Sequence, residues 1–314
     1  MSGGHGSAAE ERVWARMPEG TRRALAELSG TELRTLLLGA ARDRAADVTP
    51  AELMRRWRDD RFVRPAAVDP RRLAVVEARI WQLLPPEVDG VELSPVVPLG
   101  TCSAVGPVSQ NRVVTTMRGT EVLSDATNAL AVEAAGRRRR QPAGGSVHLA
   151  ACQRHLRAQD FGEGRPAHFR LFALVSSARD AGSGTTQARL LALHLGFWQK
   201  VLAALLPDGN PRVHVSAMEG RGRAVSAMEG RGRPPTGVMP IVEEPGRRRG
   251  GGYYTEAALR ITAGDGEREV ELGDGGFTTW TSRLMNDAKE RCLVSCLATE
   301  RVITQDDPAG RQGG

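Results

Sequence analysis

The stretch LRAQDFGEGRPAHF, residues 156–169, joins two segments that read as strands, VHLAAC at 147–152 and HFRLFALVS at 168–176. Both are short runs dominated by apolar residues and bounded by turn formers, the pattern of buried strands. Further strand-like segments lie at 91–99, 112–117, 212–217, 253–262 and 291–298. Helical spacing fits 71–84, 125–135, 186–206 and 278–286. Strands outnumber the crossover helices that a parallel sheet requires, so the chain predicts an α+β fold, a largely antiparallel sheet with helices packed against it.

Upstream of this region, residues 12–68 predict a small helical N-terminal region. Leu25, Leu28, Leu33, Leu36, Leu37 and Leu38 recur at helical spacing, with Thr31 and Thr49 placed as caps before acidic residues. Pro65 and Pro70 mark the hinge to a core spanning 69–305. Residues 1–11 are small and polar and predict a disordered tail, and 306–314 a flexible one. The sequence VSAMEGRGR occurs at 215–223 and again at 225–233, a period too short for a solenoid unit, and reads as a loop insertion.

Composition narrows the class. The 314 residues are 40% apolar and 25% charged, which is globular usage. No apolar run reaches the roughly 18 to 20 residues of a membrane helix, and the N-terminus has no signal-peptide core, so a cytoplasmic protein without membrane contact is expected. Four cysteines, Cys102, Cys152, Cys292 and Cys296, are too scattered for a disulfide framework or a zinc site, so no metal ligand set is expected. The net charge of +6 favours polyanionic partners, but nearly all of it is arginine spread along the chain. Of the dense patches, 137–140 reads as a solvated loop in preference to a nucleic-acid contact.

Five segments, in order, carry a resemblance. VELSPVVPLG (91–100) follows a helix, SDATNALAVEAA (124–135) turns into one, LRAQDFGEGRPAHF precedes an apolar strand, and RGGGYYT (249–255) and LVSCLATERVI (293–303) follow. Together they resemble the motif series of class II aminoacyl-tRNA synthetases of the histidyl type. The first is similar to motif 1, the dimer-forming element, and implies a homodimer. Leu156 to Phe169 is similar to motif 2, which implies that Arg157 grips the α-phosphate of ATP, that Phe169 lies near the adenine and that Gln159 stands where the family has a glutamate contacting the adenine amino group. A planar guanidinium suits a phosphate that gains charge during transfer.

The same resemblance implies that Asp125 and Thr127 hold the α-amino group of an amino acid. The residues alone also allow Asp125 as an N-cap on a surface helix. RGGGYYT resembles a histidyl-type signature and implies that Arg249 is a second catalytic arginine and that Tyr254 belongs to the side-chain pocket; a basic turn before an edge strand would read alike. The Glu300-Arg301 pair is similar to that of motif 3 and implies a hold on ATP and its γ-phosphate, although a Glu-Arg pair on an amphipathic helix looks the same.

Departures from the pattern shape the expected function. Positions that read histidine in the family fall on Leu171 and Val175, and burying an imidazole against apolar groups would leave its polar atoms unpaired. Gly275, Gly276 and Phe277 stand where the family has Gly, Arg and Tyr, and Val294 and Ala298 replace motif 3 glycines. The sequence after Glu300-Arg301 is short, and an anticodon-reading domain is not expected. The resemblance thus implies an ATP- and Mg²⁺-dependent enzyme that activates an amino acid other than histidine as its adenylate and passes it to a small molecule, carrier protein or tRNA. Its alternative is a catalytically silent paralogue, similar to the regulatory subunit of ATP phosphoribosyltransferase.

Overall fold

The computed structural model describes residues 8–106, 108–141, 144–162, 166–217, 241–243 and 254–305. Four helices come first: α1 (Ala8–Trp14), α2 (Thr21–Glu27), α3 (Gly30–Ala46) and α4 (Pro50–Asp59), none of which buries a residue. Helix α1 therefore begins inside the stretch expected to be disordered. The cap of α3 is Ser29 and not Thr31. Its extended backbone frees the hydroxyl to accept from Glu32 N at 3.3 Å, while the Glu32 carboxylate accepts from Ser29 N at 2.8 Å, a reciprocal pair that Thr31 cannot make from within the first turn. Thr49 caps α4 as expected, accepting from Glu52 N at 3.2 Å.

Helix α5 (Pro70–Gln82) starts on the Asp69 cap with proline at its first position. The strand expected over 91–99 is split into β1 (Asp89–Gly90) and β2 (Val96–Pro98), with Pro95, which cannot donate to a ladder, in the break between them. Then come α6 (Thr101–Val105), β3 (Thr120–Val122), α7 (Ala126–Arg139), β4 (Ser146–Leu156), β5 (His168–Arg179), α8 (Thr185–Leu205), β6 (Arg212–Ala217) and β7 (Ile241–Glu243). The chain continues with β8 (Ala257–Ala263), β9 (Val270–Thr278), α9 (Trp280–Met285), β10 (Glu290–Ala298) and α10 (Thr299–Gln305). Segment 112–117 is not a strand; it makes two isolated bridges, Val113 with Arg157 and Thr115 with Glu121.

Eight strands form one sheet in the order β1-β4-β5-β10-β9-β8-β6-β7, and β2 with β3 forms a second ribbon. Only the edge pairs β1–β4 and β6–β7 are parallel; the others within the eight run antiparallel. The fold class is α+β. Alternation along β4 and β5 sends Ala150, Cys152, Phe172 and Leu174 to one face, under α5 and α8, and Leu149, Ala151, Ala173 and Val175 to the other, under α7 and α9. The first face holds Trp198 and Phe197 at 4.7 Å between centroids. It also carries a polar thread in which His194 bonds Ser295 Oγ at 2.8 Å and Ser176 Oγ at 2.9 Å, and Trp198 Nε1 donates to Ser295 Oγ at 2.8 Å. Burial holds His194 far below its ordinary pKa.

The arginine run 137–140 ends helix α7 and is not a free loop. Arg138 is buried, donating to both carboxylate oxygens of Glu290 on β10 at 3.3 and 2.7 Å. The four cysteines are free thiols, with burial pushing Cys152 up to about 12 and Cys292 up to about 11. Among the described residues no helix is long and apolar enough to cross a membrane.

Candidate functional site

The α7 face of the sheet is covered only in part. Where α7 starts, the uncovered strands form a cleft of about 660 Å³ whose lining includes the segment just past β4, the start of β5, the middle of β9 and the end of β10 running into α10. The site is held there by a cap. Asp125 has an extended backbone and accepts at Oδ1 from Thr127 N at 2.9 Å and Thr127 Oγ1 at 2.6 Å, so it begins α7 and presents its carboxylate at that helix's positive end. Asp125 thus caps the helix and also lines the cleft.

Arg157, just past β4, reaches the same point. Its Nε donates to Ser124 O at 2.8 Å, its Nη2 lies 3.3 Å from Asp125 Oδ2, and its guanidinium sits 4.9 Å from the Phe169 ring centroid. Phe169 faces His155 across the β4–β5 ladder and stacks on it at 5.8 Å. The ring that the motif resemblance sets near adenine is thus engaged by His155 and Arg157. His155 accepts from Ala126 N at 2.8 Å, and burial lowers its pKa to about 4 against the opposing pull of the Asp125 charge, so at neutral pH it is the uncharged acceptor this bond requires.

At the other end of the cleft, Glu300 pairs with Arg154 at 2.6 Å, and Arg301 donates to Glu271 O at 2.7 Å. Gln159 lines the cleft near the motif 2 loop, and its carbonyl and that of Ala158 accept from Arg61, which ties the loop to the N-terminal helical region. His168 Nε2 bonds Arg64 O at 2.7 Å and strengthens that tie.

Of the residues chosen from sequence, Arg157, Gln159, Phe169, Glu300, Arg301, Asp125, Thr127, Leu171 and Tyr254 all line this one cleft. Val175 does not. It is fully buried beneath α7 with Ala173 and Leu149, two repeats of the strand alternation inward from Leu171. Arg249 lies outside the described residues, as does most of RGGGYYT. Tyr254 is described: its ring packs against Gly276, where a Cβ would stand 2.5 Å from Tyr254 Cγ, so a glycine is required for the ring to sit there.

Sequence reading missed Asn128, Asp274 and Cys296, which also line the cleft. Asn128 follows Asp125 by one helical turn, a position visible once Asp125 is taken as a cap. Asp274 lies in GDGGF, outside the strand-like segments because glycine is poor in strands, yet it belongs to β9.

No protein-family model matches the chain, and no curated protein matches its sequence. Solved structures do match its fold. Apo histidyl-tRNA synthetase of S. aureus superposes with a TM-score of 0.58 at 13% identity, over 80% of this chain and 70% of that one. An ATP phosphoribosyltransferase regulatory subunit/histidyl-tRNA synthetase from Bacillus halodurans C gives 0.56 at 11% identity, over 78% and 82%. A putative threonyl-tRNA synthetase, ThrRS-1, from Aeropyrum pernix gives 0.53 at 15%, over 74% and 58%. The fold is that of the class II synthetases.

Proposed function

We propose that the chain is an ATP-dependent enzyme that activates an amino acid other than histidine as its aminoacyl-adenylate and transfers it to an acceptor other than the standard one. The observation that carries this reading is convergence: residues from three separate segments, Asp125, Arg157 with Phe169, and Glu300-Arg301, line a single cleft. An adenylate needs no side-chain nucleophile. Positioning the substrate carboxylate against the α-phosphorus and stabilising the charge that develops there supplies most of the rate. Arg157 is set to do the second, because its forked donors reach into the cleft from a fixed backbone contact at Ser124. Arg249 is assigned the same task from the resemblance. Arg301 and Glu300 take the triphosphate end.

The residues also fit magnesium. Among the described residues no set of three or more ligands forms a ready metal cage. Mg²⁺ needs none, since it usually enters on substrate phosphates with one or two carboxylates, here Glu300 and Glu271. When bound it neutralises charge on the phosphates.

One observation favours the silent-paralogue reading: Arg157, Arg301, Glu300 and Phe169 are all engaged by neighbouring groups. The contacts of Arg157 and Arg301 lie along the cleft wall and can exchange for phosphate, which is the stronger partner for a guanidinium. Titration of ATP with magnesium by calorimetry separates the two readings. The enzyme binds ATP, and Arg301→Ala weakens that binding tenfold or more, the worth of about one charge-assisted bond; a chain that gives no heat with ATP is a regulatory relic.

Assembly as a homodimer is part of the proposal. It is supported by Val75 on α5 and Leu99 after β2, which are 70% and 53% exposed on the elements similar to motif 1. Sedimentation is expected to give a dimer at micromolar concentration, and a monomer there excludes this face as a stable interface.

A further inference from the structure

We infer that the cleft is built for an amino acid with a second positive charge, a diamino acid whose α-ammonium sits at the start of α7 and whose side-chain ammonium sits on Asp274. This rests on the reading of the cleft as an amino-acid site and names its substrate class.

Two carboxylates from different elements face the cleft beside Cys296, Asp125 from the cap of α7 and Asp274 from β9; both push that thiol upward, after the larger effect of burial. Their charges are balanced differently. Asp125 has Arg157 at 3.3 Å and the helix terminus behind it. Asp274 is bonded by Tyr254 Oη at 3.1 Å and Cys296 Sγ at 3.4 Å, both neutral donors, and among the described residues no cation lies within ion-pair distance of it. Of the other cleft carboxylates, Glu300 has Arg154, and Glu271 lies where Arg301 bonds its carbonyl. Among the described residues Asp274 is therefore a half-buried carboxylate whose hydrogen-bond donors are neutral, with Arg260, its partner across the ladder, ion-paired to Glu269 instead.

A second observation points to a ligand independently. Asn128 is 1% exposed and lines the cleft, and its amide oxygen and nitrogen make no hydrogen bond of normal geometry among the described residues, the Cys102 thiol being a near polar neighbour. A buried amide left so is costly unless something enters to satisfy it. Its place one turn after Asp125 sets it at the α7 end of the cleft, beside the proposed ammonium position. Leu171 and Val294 give the cleft apolar wall suited to methylenes. A neutral side chain would leave Asp274 unpaired, and an acidic one would be repelled by it.

The test is calorimetry on the full chain, with and without ATP and magnesium, using lysine, ornithine and 2,4-diaminobutyrate beside their neutral counterparts norleucine, norvaline and 2-aminobutyrate, and histidine. At least one diamino acid is expected to bind roughly ten- to a hundredfold tighter than its neutral counterpart, the worth of a charge-assisted pair. Asp274→Asn is expected to erase that ratio while the neutral compound binds as before. Neutral binding as tight as diamino binding, a ratio that survives Asp274→Asn, or no diamino acid bound at all overturns the inference. If Asp274→Asn does not fold, the wild-type ratio decides. Diamino binding without pyrophosphate exchange removes adenylation and leaves this assignment standing, whereas exchange driven by a neutral amino acid does the reverse.

Discussion

His155 shows how one buried side chain ties the site to the stability of the fold. It receives the first backbone N–H of α7, stacks on Phe169 and is held neutral, with its pKa lowered to about 4. An unfolded histidine titrates near 6.5. Below that pH the unfolded chain takes a proton that the folded chain refuses, so the contribution of His155 is whole above pH 6.5 and is lost as pH falls toward 4. For this residue alone the loss is on the order of 3 kcal/mol at full extent. Urea unfolding at pH 7 and pH 4.5 should show a smaller drop in His155→Gln than in the parent, since the glutamine amide can accept the same bond without titrating. Equal drops would mean that His155 takes up its proton in the folded state. None of this was legible in the sequence. A histidine beside an arginine gives no sign of burial, whereas Asp125 was readable as a helix cap, because an aspartate before a helical run has that one local use.

Elements reveal where local sequence misleads. The run of four arginines ending α7 looked like a solvated patch, but the helical period turns Arg138 inward onto Glu290. Ser177 Oγ also donates to Glu290 at 3.2 Å, so the carboxylate is well satisfied only while Arg138 remains. Arg138→Ala leaves a buried anion and should cost about 3 to 5 kcal/mol. Replacing both partners by methionine should recover most of it, because a well-packed apolar pair can stand in for a buried ion pair. Thermal or urea unfolding of the single and double variants checks this; a single variant as stable as the parent would show that water reaches Glu290. Strand β9 was missed for a related reason. Its glycines look like a turn, but they are placed where side chains would collide with neighbours, with Gly276 under the Tyr254 ring and Gly273 against Cys296 O. Propensity was overridden by a packing demand that no single segment displays.

At the scale of the whole molecule, the α+β class was readable from the count of strands against crossovers. The class II architecture was readable from the order of the motifs, since neither one alone is specific. The sheet order was not, because β1 and β7 attach through parallel edge pairs of two or three residues. Nor was the anchoring of the N-terminal helices to the motif 2 loop through Arg61, a contact between residues 98 positions apart. That the motifs converge on one cleft is the central claim, and amino-acid-dependent exchange of pyrophosphate into ATP tests it most directly. A panel including diamino acids should contain at least one that drives exchange. Arg157→Ala should slow that exchange by roughly 10²- to 10³-fold, the loss seen on deleting one preorganised group at a developing charge, with amino-acid affinity changed far less. Exchange that no amino acid supports, or that Arg157→Ala leaves at the parent rate, would contradict the claim that this cleft forms an adenylate.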